Sequence, residues 1–179
     1  MCLFAKTAKF LNLAFKIDKL KTKAIVKRVM KILPKEINNN YEGRKIALYL
    51  FYLFTIMTVV RSLIHIFAPD GGAQSIATIP LSSYSAEAAD VVIHIFAEWG
   101  LTQLLFGILY AIVLWKYKSL IPLMYLFIST EYTGRLFLTF YKPIILEGTA
   151  PGGIINYILI PVALLMLVLS LQKSKVVQL

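Results

Sequence analysis

Residues 46–67 read IALYLFYLFTIMTVVRSLIHIF, a run in which Arg61 is the only residue with a formal charge at neutral pH. At about 1.5 Å per residue a helix of this length crosses the roughly 30 Å hydrocarbon core of a bilayer. It is too long for a strand. Three more apolar runs follow, at 91–115, 119–141 and 154–171. None alternates at a period of two, so the spacing predicts four spanning helices.

Composition agrees with that reading. The chain has 179 residues, of which 59% are hydrophobic and 16% charged, and its mean hydropathy is +0.74. Soluble domains carry about 25% charged residues, and disorder requires low hydrophobicity. Both classes are excluded. The single cysteine, Cys2, excludes an intramolecular disulfide, a CxxC pair and a cysteine-based zinc site. The expected fold is an all-α polytopic membrane protein. A basic amphipathic segment (1–45) precedes a four-transmembrane-helix bundle (46–171), and a short tail (172–179) follows.

Orientation follows from the basic residues. The first 45 residues hold ten lysines and two arginines, the 116–118 turn holds two lysines, and the tail holds two. The 68–90 loop has none and the 142–153 loop only Lys142. Basic flanks stay on the cytoplasmic side, so both termini are expected there.

The N-terminal segment has no uninterrupted apolar core and no small-residue cleavage site, so it does not read as a secretory signal. Phe10, Leu13, Ile17, Leu20 and Ala24 recur at helical spacing, with Lys9, Lys16, Lys19, Lys23 and Lys27 on a neighbouring face. That pattern predicts a helix lying on an anionic cytoplasmic leaflet. No aromatic-interleaved basic module points to nucleic acid.

Six ionisable residues interrupt the spans in three i,i+4 pairs: Arg61 with His65, His94 with Glu98, and Glu131 with Arg135. Each pair shares a helical face, and all six fall in the outer half of the bilayer. Such groups cost roughly 2.5–3.5 kcal/mol each in lipid, so they are expected to turn inward. An Arg61–Glu98 contact between helices and a Glu131–Arg135 contact along the third span are the expected pairings. The cluster reads as a polar pocket open to the outer side, or else as a closed network fixing helix order. As a pocket it suits a lipid or quinone, with arginine on the head and Phe67, Phe96, Trp99, Tyr132 and Phe137 along the apolar part. The alternative ligands are a metal on His65, His94, Glu98 and Glu131, or a haem held between the two histidines in an electron-transfer protein. A third reading is a structural partner subunit within the membrane.

Pro69-Asp70-Gly71-Gly72 and Ala150-Pro151-Gly152-Gly153 read as turns, and the 68–90 loop is long enough to fold over the cluster as a lid. Ile64-His65-Ile66-Phe67-Ala68 recurs as Ile93-His94-Ile95-Phe96-Ala97, which reads as convergence within apolar helices. No P-loop, HExxH or Ser–His–Asp order supports nucleotide use or hydrolysis, so an enzymatic activity has no motif behind it.

Short-looped spans with Arg61 and His65 at the outer end of the first, the 69–73 turn and the 131–135 stretch resemble the DoxX-like group of small bacterial membrane proteins. The resemblance covers about residues 46–171 and is architectural. It implies a bacterial inner-membrane location and, because some members are similar to subunits of quinone-linked oxidoreductases, adds weight to the quinone reading. Thiol chemistry does not carry over, since the bundle has no cysteine.

Overall fold

The computed structural model describes residues 32–173. The expected basic helix with Lys9, Lys16, Lys19, Lys23 and Lys27 lies outside the described residues. Within them the chain is all helical, with no strand: α1 (Lys45–Phe67), α2 (Ala86–Lys116), α3 (Ile121–Tyr141) and α4 (Pro151–Leu171), with single 3-10 turns at Leu81–Ser83 and Lys118–Leu120. By length and composition α1, α2 and α4 are able to cross a membrane. The 21 residues of α3 are long enough, but its polar middle, Ser129 to Arg135, lowers its hydropathy.

Two boundaries differ from the sequence reading for identifiable reasons. Helix α2 starts at Ala86, five residues before its apolar run, because Ser85 caps it by accepting from the Ala88 N–H at 3.3 Å and Glu87 sits in the first turn. The helix is therefore about 46 Å long. Helix α4 starts at Pro151, so Pro151-Gly152-Gly153 is its first turn and not a loop. Proline suits that position because its missing N–H has no helical partner there. Helix α4 then continues through Pro161.

The helices form two antiparallel hairpins, α1 with α2 and α3 with α4, and α1 also touches α4. Glycine sets the first contact. A Cβ on Gly100 would stand 2.7 Å from His65 Cβ, and one on Gly107 would stand 2.8 Å from Val59 Cγ2. Small residues let helices approach closely where lipid supplies no hydrophobic drive. Aromatic rings join the two hairpins, with Phe51 meeting Tyr125 at 5.6 Å and Phe54 meeting Tyr132 at 6.0 Å, while Phe51 also meets Tyr110 within the first hairpin at 5.5 Å. The hydroxyls of Thr55, Thr58, Ser62, Ser129 and Thr133 each donate to the carbonyl four residues earlier. Those five hydroxyls are thereby satisfied within their own helices.

This core occupies one half of the molecule, called proximal here: the end where α1 and α3 begin and α2 and α4 finish. Ala47, Phe51, Tyr110, Val113, Ile121, Tyr125, Ile128, Ala163 and Met166 are buried there. A strap formed by residues 38–44 crosses the proximal end. Asn38 and Ser119 exchange hydrogen bonds at 3.0 and 3.2 Å. The Arg44 N–H donates to the Leu169 carbonyl at 3.1 Å, and Glu42 pairs with Lys173 at 3.2 Å. At the distal end burial continues on α1 and the loop after it, with Ser62, His65, Ala73 and Leu81, but thins on α3 and α4. In α3 beyond Tyr132, and in α4 from Pro151 to Ile158, no side chain is fully buried. The two distal loops are tied together by Thr78, whose carbonyl accepts from Glu147 N–H at 2.9 Å and whose hydroxyl donates to the Gly148 carbonyl at 3.0 Å.

Candidate functional site

The site lies where the core ends. One turn of α1 places Arg61, Ser62 and His65 against the α2 stripe marked by Gly100, Gln103 and Gly107. Arg61 is half-buried. Its Nε donates to Gln103 Oε1 at 2.9 Å and its Nη1 to the Tyr132 hydroxyl at 3.4 Å. Two guanidiniums lie over the Trp99 ring, Arg61 at 5.9 Å from its centroid and Arg135 at 4.7 Å. Arg135 also lies 5.3 Å from the Tyr132 ring. His65 packs against Trp99 at 4.7 Å and against Phe96 at 5.6 Å. Its Nδ1 meets the Gly71 carbonyl at 2.7 Å.

The loop after α1 holds that carbonyl in place. Gly71 and Gly72 adopt φ of 58° and 75°, left-handed values that favour glycine. A Cβ on Gly71 would press on Phe96 Cβ at 3.1 Å. Asp70 closes the turn by accepting from the N–H groups of Gly72, Gln74 and Ser75 at 2.9, 3.1 and 2.6 Å. Partial burial pushes the Asp70 carboxyl up. The donors from Ser75, Gly72 and Gln74 outweigh it and hold the group below the usual carboxylate range. Its charged form therefore stabilises the fold above the unfolded value of about 3.9, and that contribution is lost as pH falls through the lower folded value. Asp70→Asn is expected to lower stability in detergent by about 1 kcal/mol at pH 7, a figure set by lost hydrogen bonds at a partly exposed site. The gap to the parent should close below about pH 4. A gap unchanged at pH 3 in thermal melts would show that the charge is not involved.

The six ionisable residues do not all converge. Arg61, His65 and Arg135 meet around Trp99, and Glu131 pairs with Arg135 as the i,i+4 spacing predicted. The expected Arg61–Glu98 contact is not formed. His94 and Glu98 pair with each other at 3.3 Å, with side chains 74% and 68% exposed. The reason is the face that α2 turns to α1. Gly100, Gln103 and Gly107 define it, and His94 and Glu98 project from another side. His65 is 4% exposed, so the two imidazoles, although they sit in the same five-residue motif, occupy different environments. Among the described residues no group of three or more His, Cys, Asp or Glu side chains gathers for a metal ion. The donor set His65, His94, Glu98 and Glu131 is therefore not assembled, and the haem reading loses its paired histidines.

The sequence reading missed Gln103 and took Trp99 and Tyr132 only as apolar lining. The signal was present in the glycines, since Gln103 sits three residues after Gly100 and four before Gly107 on one helical face. Proximal to the cluster, an apolar groove between α1, α3 and α4 is lined by Phe54, Met57, Ile128, Leu159, Val162 and Met166. Comparison with family models, characterised proteins and solved structures finds no match to this chain.

Proposed function

We propose that the chain is a four-span membrane protein, with both termini in the cytoplasm, whose distal polar cluster holds the anionic head of an outer-leaflet amphiphile. The observation that carries this is the charge on Arg61. Among the described residues Arg61 pairs with no carboxylate, whereas Arg135 is matched by Glu131. The cluster therefore keeps one positive charge in a low-dielectric setting, where an isolated charge is costly. An anionic head compensates it. A neutral quinone would not, so of the two amphiphile classes the lipid is favoured. The geometry also suits a tail. The core ends at Tyr132, no side chain past it on α3 or in the distal half of α4 is fully buried, and the apolar groove includes Phe54 beside Tyr132. Counting α3 as a span rests on this reading, because its polar middle faces the cluster. The DoxX-like resemblance and the inner-membrane location belong to the same proposal.

The test is native mass spectrometry of protein released from mild detergent. The parent should retain an anionic lipid, and Arg61→Leu should lower its occupancy about tenfold, as expected for a lost charge-assisted contact. Unchanged retention in Arg61→Leu would sink the reading. Topology has its own check. In a Cys2→Ser background, a cysteine at Ser83 should react with an impermeant thiol reagent added outside, and one at Lys173 should not. The opposite pattern would reverse the orientation.

A second reading, as a partner subunit, draws on the His94–Glu98 pair. An ionisable pair exposed on the side of a spanning helix suits a polar contact from a neighbouring membrane protein.

A further inference from the structure

Among the described residues two buried polar atoms in the cluster have no partner, His65 Nε2 and Gln103 Nε2, and both residues are 4% exposed. Their chemical roles are fixed by what their other atoms touch. The Gly71 carbonyl only accepts, so His65 Nδ1 carries the proton toward it. In a neutral imidazole the other nitrogen is then a lone-pair acceptor. The Arg61 guanidinium only donates, so the Gln103 atom facing it is the carbonyl oxygen, and the free amide nitrogen is a donor. Arg61 itself has five N–H groups and spends two of them within the protein. The cluster thus offers a cation and an amide donor in one part and a lone acceptor in the other. An anionic oxygen satisfies the first. Only an O–H or N–H satisfies the second, and a buried polar group left unpaired is costly.

We infer that the site selects a phosphodiester head that also bears a hydroxyl, the phosphate lying on Arg61 and Gln103 and the hydroxyl donating to His65 Nε2. A phosphoglycerol lipid head is the simplest such group. A choline head has no donor, and a methyl phosphodiester has the charge without the hydroxyl. This inference rests on the anionic-amphiphile reading and adds His65 to it as the residue that discriminates among anionic heads.

The chain has two tryptophans, so Trp115→Phe leaves Trp99, which both arginines approach, as the sole indole. The protein is placed in phosphatidylcholine nanodiscs doped with tail-brominated phosphatidylglycerol or tail-brominated phosphatidylmethanol. Quenching of Trp99 reports occupancy. Phosphatidylglycerol is expected to bind about 5-fold more tightly, the factor of one net hydrogen bond. His65→Phe should abolish that preference, and Arg61→Leu should weaken both lipids. Equal affinities that still depend on Arg61 would overturn the hydroxyl inference, leave the anionic-amphiphile reading standing, and assign Nε2 to a buried water. A preference that survives in folded His65→Phe would overturn the role given to His65. Quenching independent of Arg61 for both lipids would overturn both readings. The comparison of the two lipids on the parent decides the hydroxyl inference even where His65→Phe does not fold.

Discussion

Gly100→Leu is expected to force α1 away from α2 and to cost about 3 kcal/mol, the upper range for an over-packed contact. The first atom added already collides, since a Cβ there lies 2.7 Å from His65 Cβ and 3.1 Å from the Ser62 carbonyl. Neither neighbour is the free end of a flexible chain, so the helices themselves must shift. Gly134→Leu is the matched control. It also sits inside a spanning-length helix, yet nothing among the described residues lies within 4 Å of its added Cβ. It should be neutral or slightly stabilising, because glycine is a poor helix former. Unfolding in mixed micelles would measure both. Similar losses at the two positions would mean that close approach of α1 and α2 is not what Gly100 provides.

Gln103→Leu should cost about 2–4 kcal/mol, because it removes the acceptor of the Arg61 Nε and strands a half-buried guanidinium. Glu98→Ala should change stability by no more than about 0.5 kcal/mol, since that side chain is exposed and its His94 contact lies at the surface of the bundle. Charge alone ranks the two the other way, with the carboxylate as the essential partner. A large loss at Glu98 with a small one at Gln103 would mean that α2 presents its other face to α1.

The contrast between those residues marks where the sequence stops being informative. The helices were legible because apolar runs of about 20 residues leave few alternatives in a chain this hydrophobic. The start of α1 differs by one residue from the run at 46–67. What was not legible at helix ends was local: the Ser85 cap extends α2 into polar sequence, and Pro151 opens a helix where Pro-Gly-Gly reads as a turn. Within the site, Arg61, His65, Glu131 and Arg135 stood out because ionisable groups in lipid are costly, and the intrahelical Glu131–Arg135 pair follows from i,i+4 geometry alone. Pairing between helices depends on rotation about each axis. That rotation was set by uncharged residues, Gly100 and Gly107, and the partner they brought to Arg61 was an amide.

The strap at residues 38–44 has a mechanical consequence. It links the turn before α3, through Ser119, to the end of α4, through Leu169 and Lys173. Both hairpins are thereby clamped at one end, while past Tyr132 no side chain of α3 is fully buried and the Thr78 bonds to Glu147 and Gly148 tie the distal loops. Such a body works as a lever with its fulcrum at the strap. A rotation of about 5° over a helix of about 31 Å moves the far tip by roughly 3 Å. On the proposed reading, the spacing of the distal halves then responds to the leaflet around them within the slack of the Thr78 tie, without any change at the clamped end.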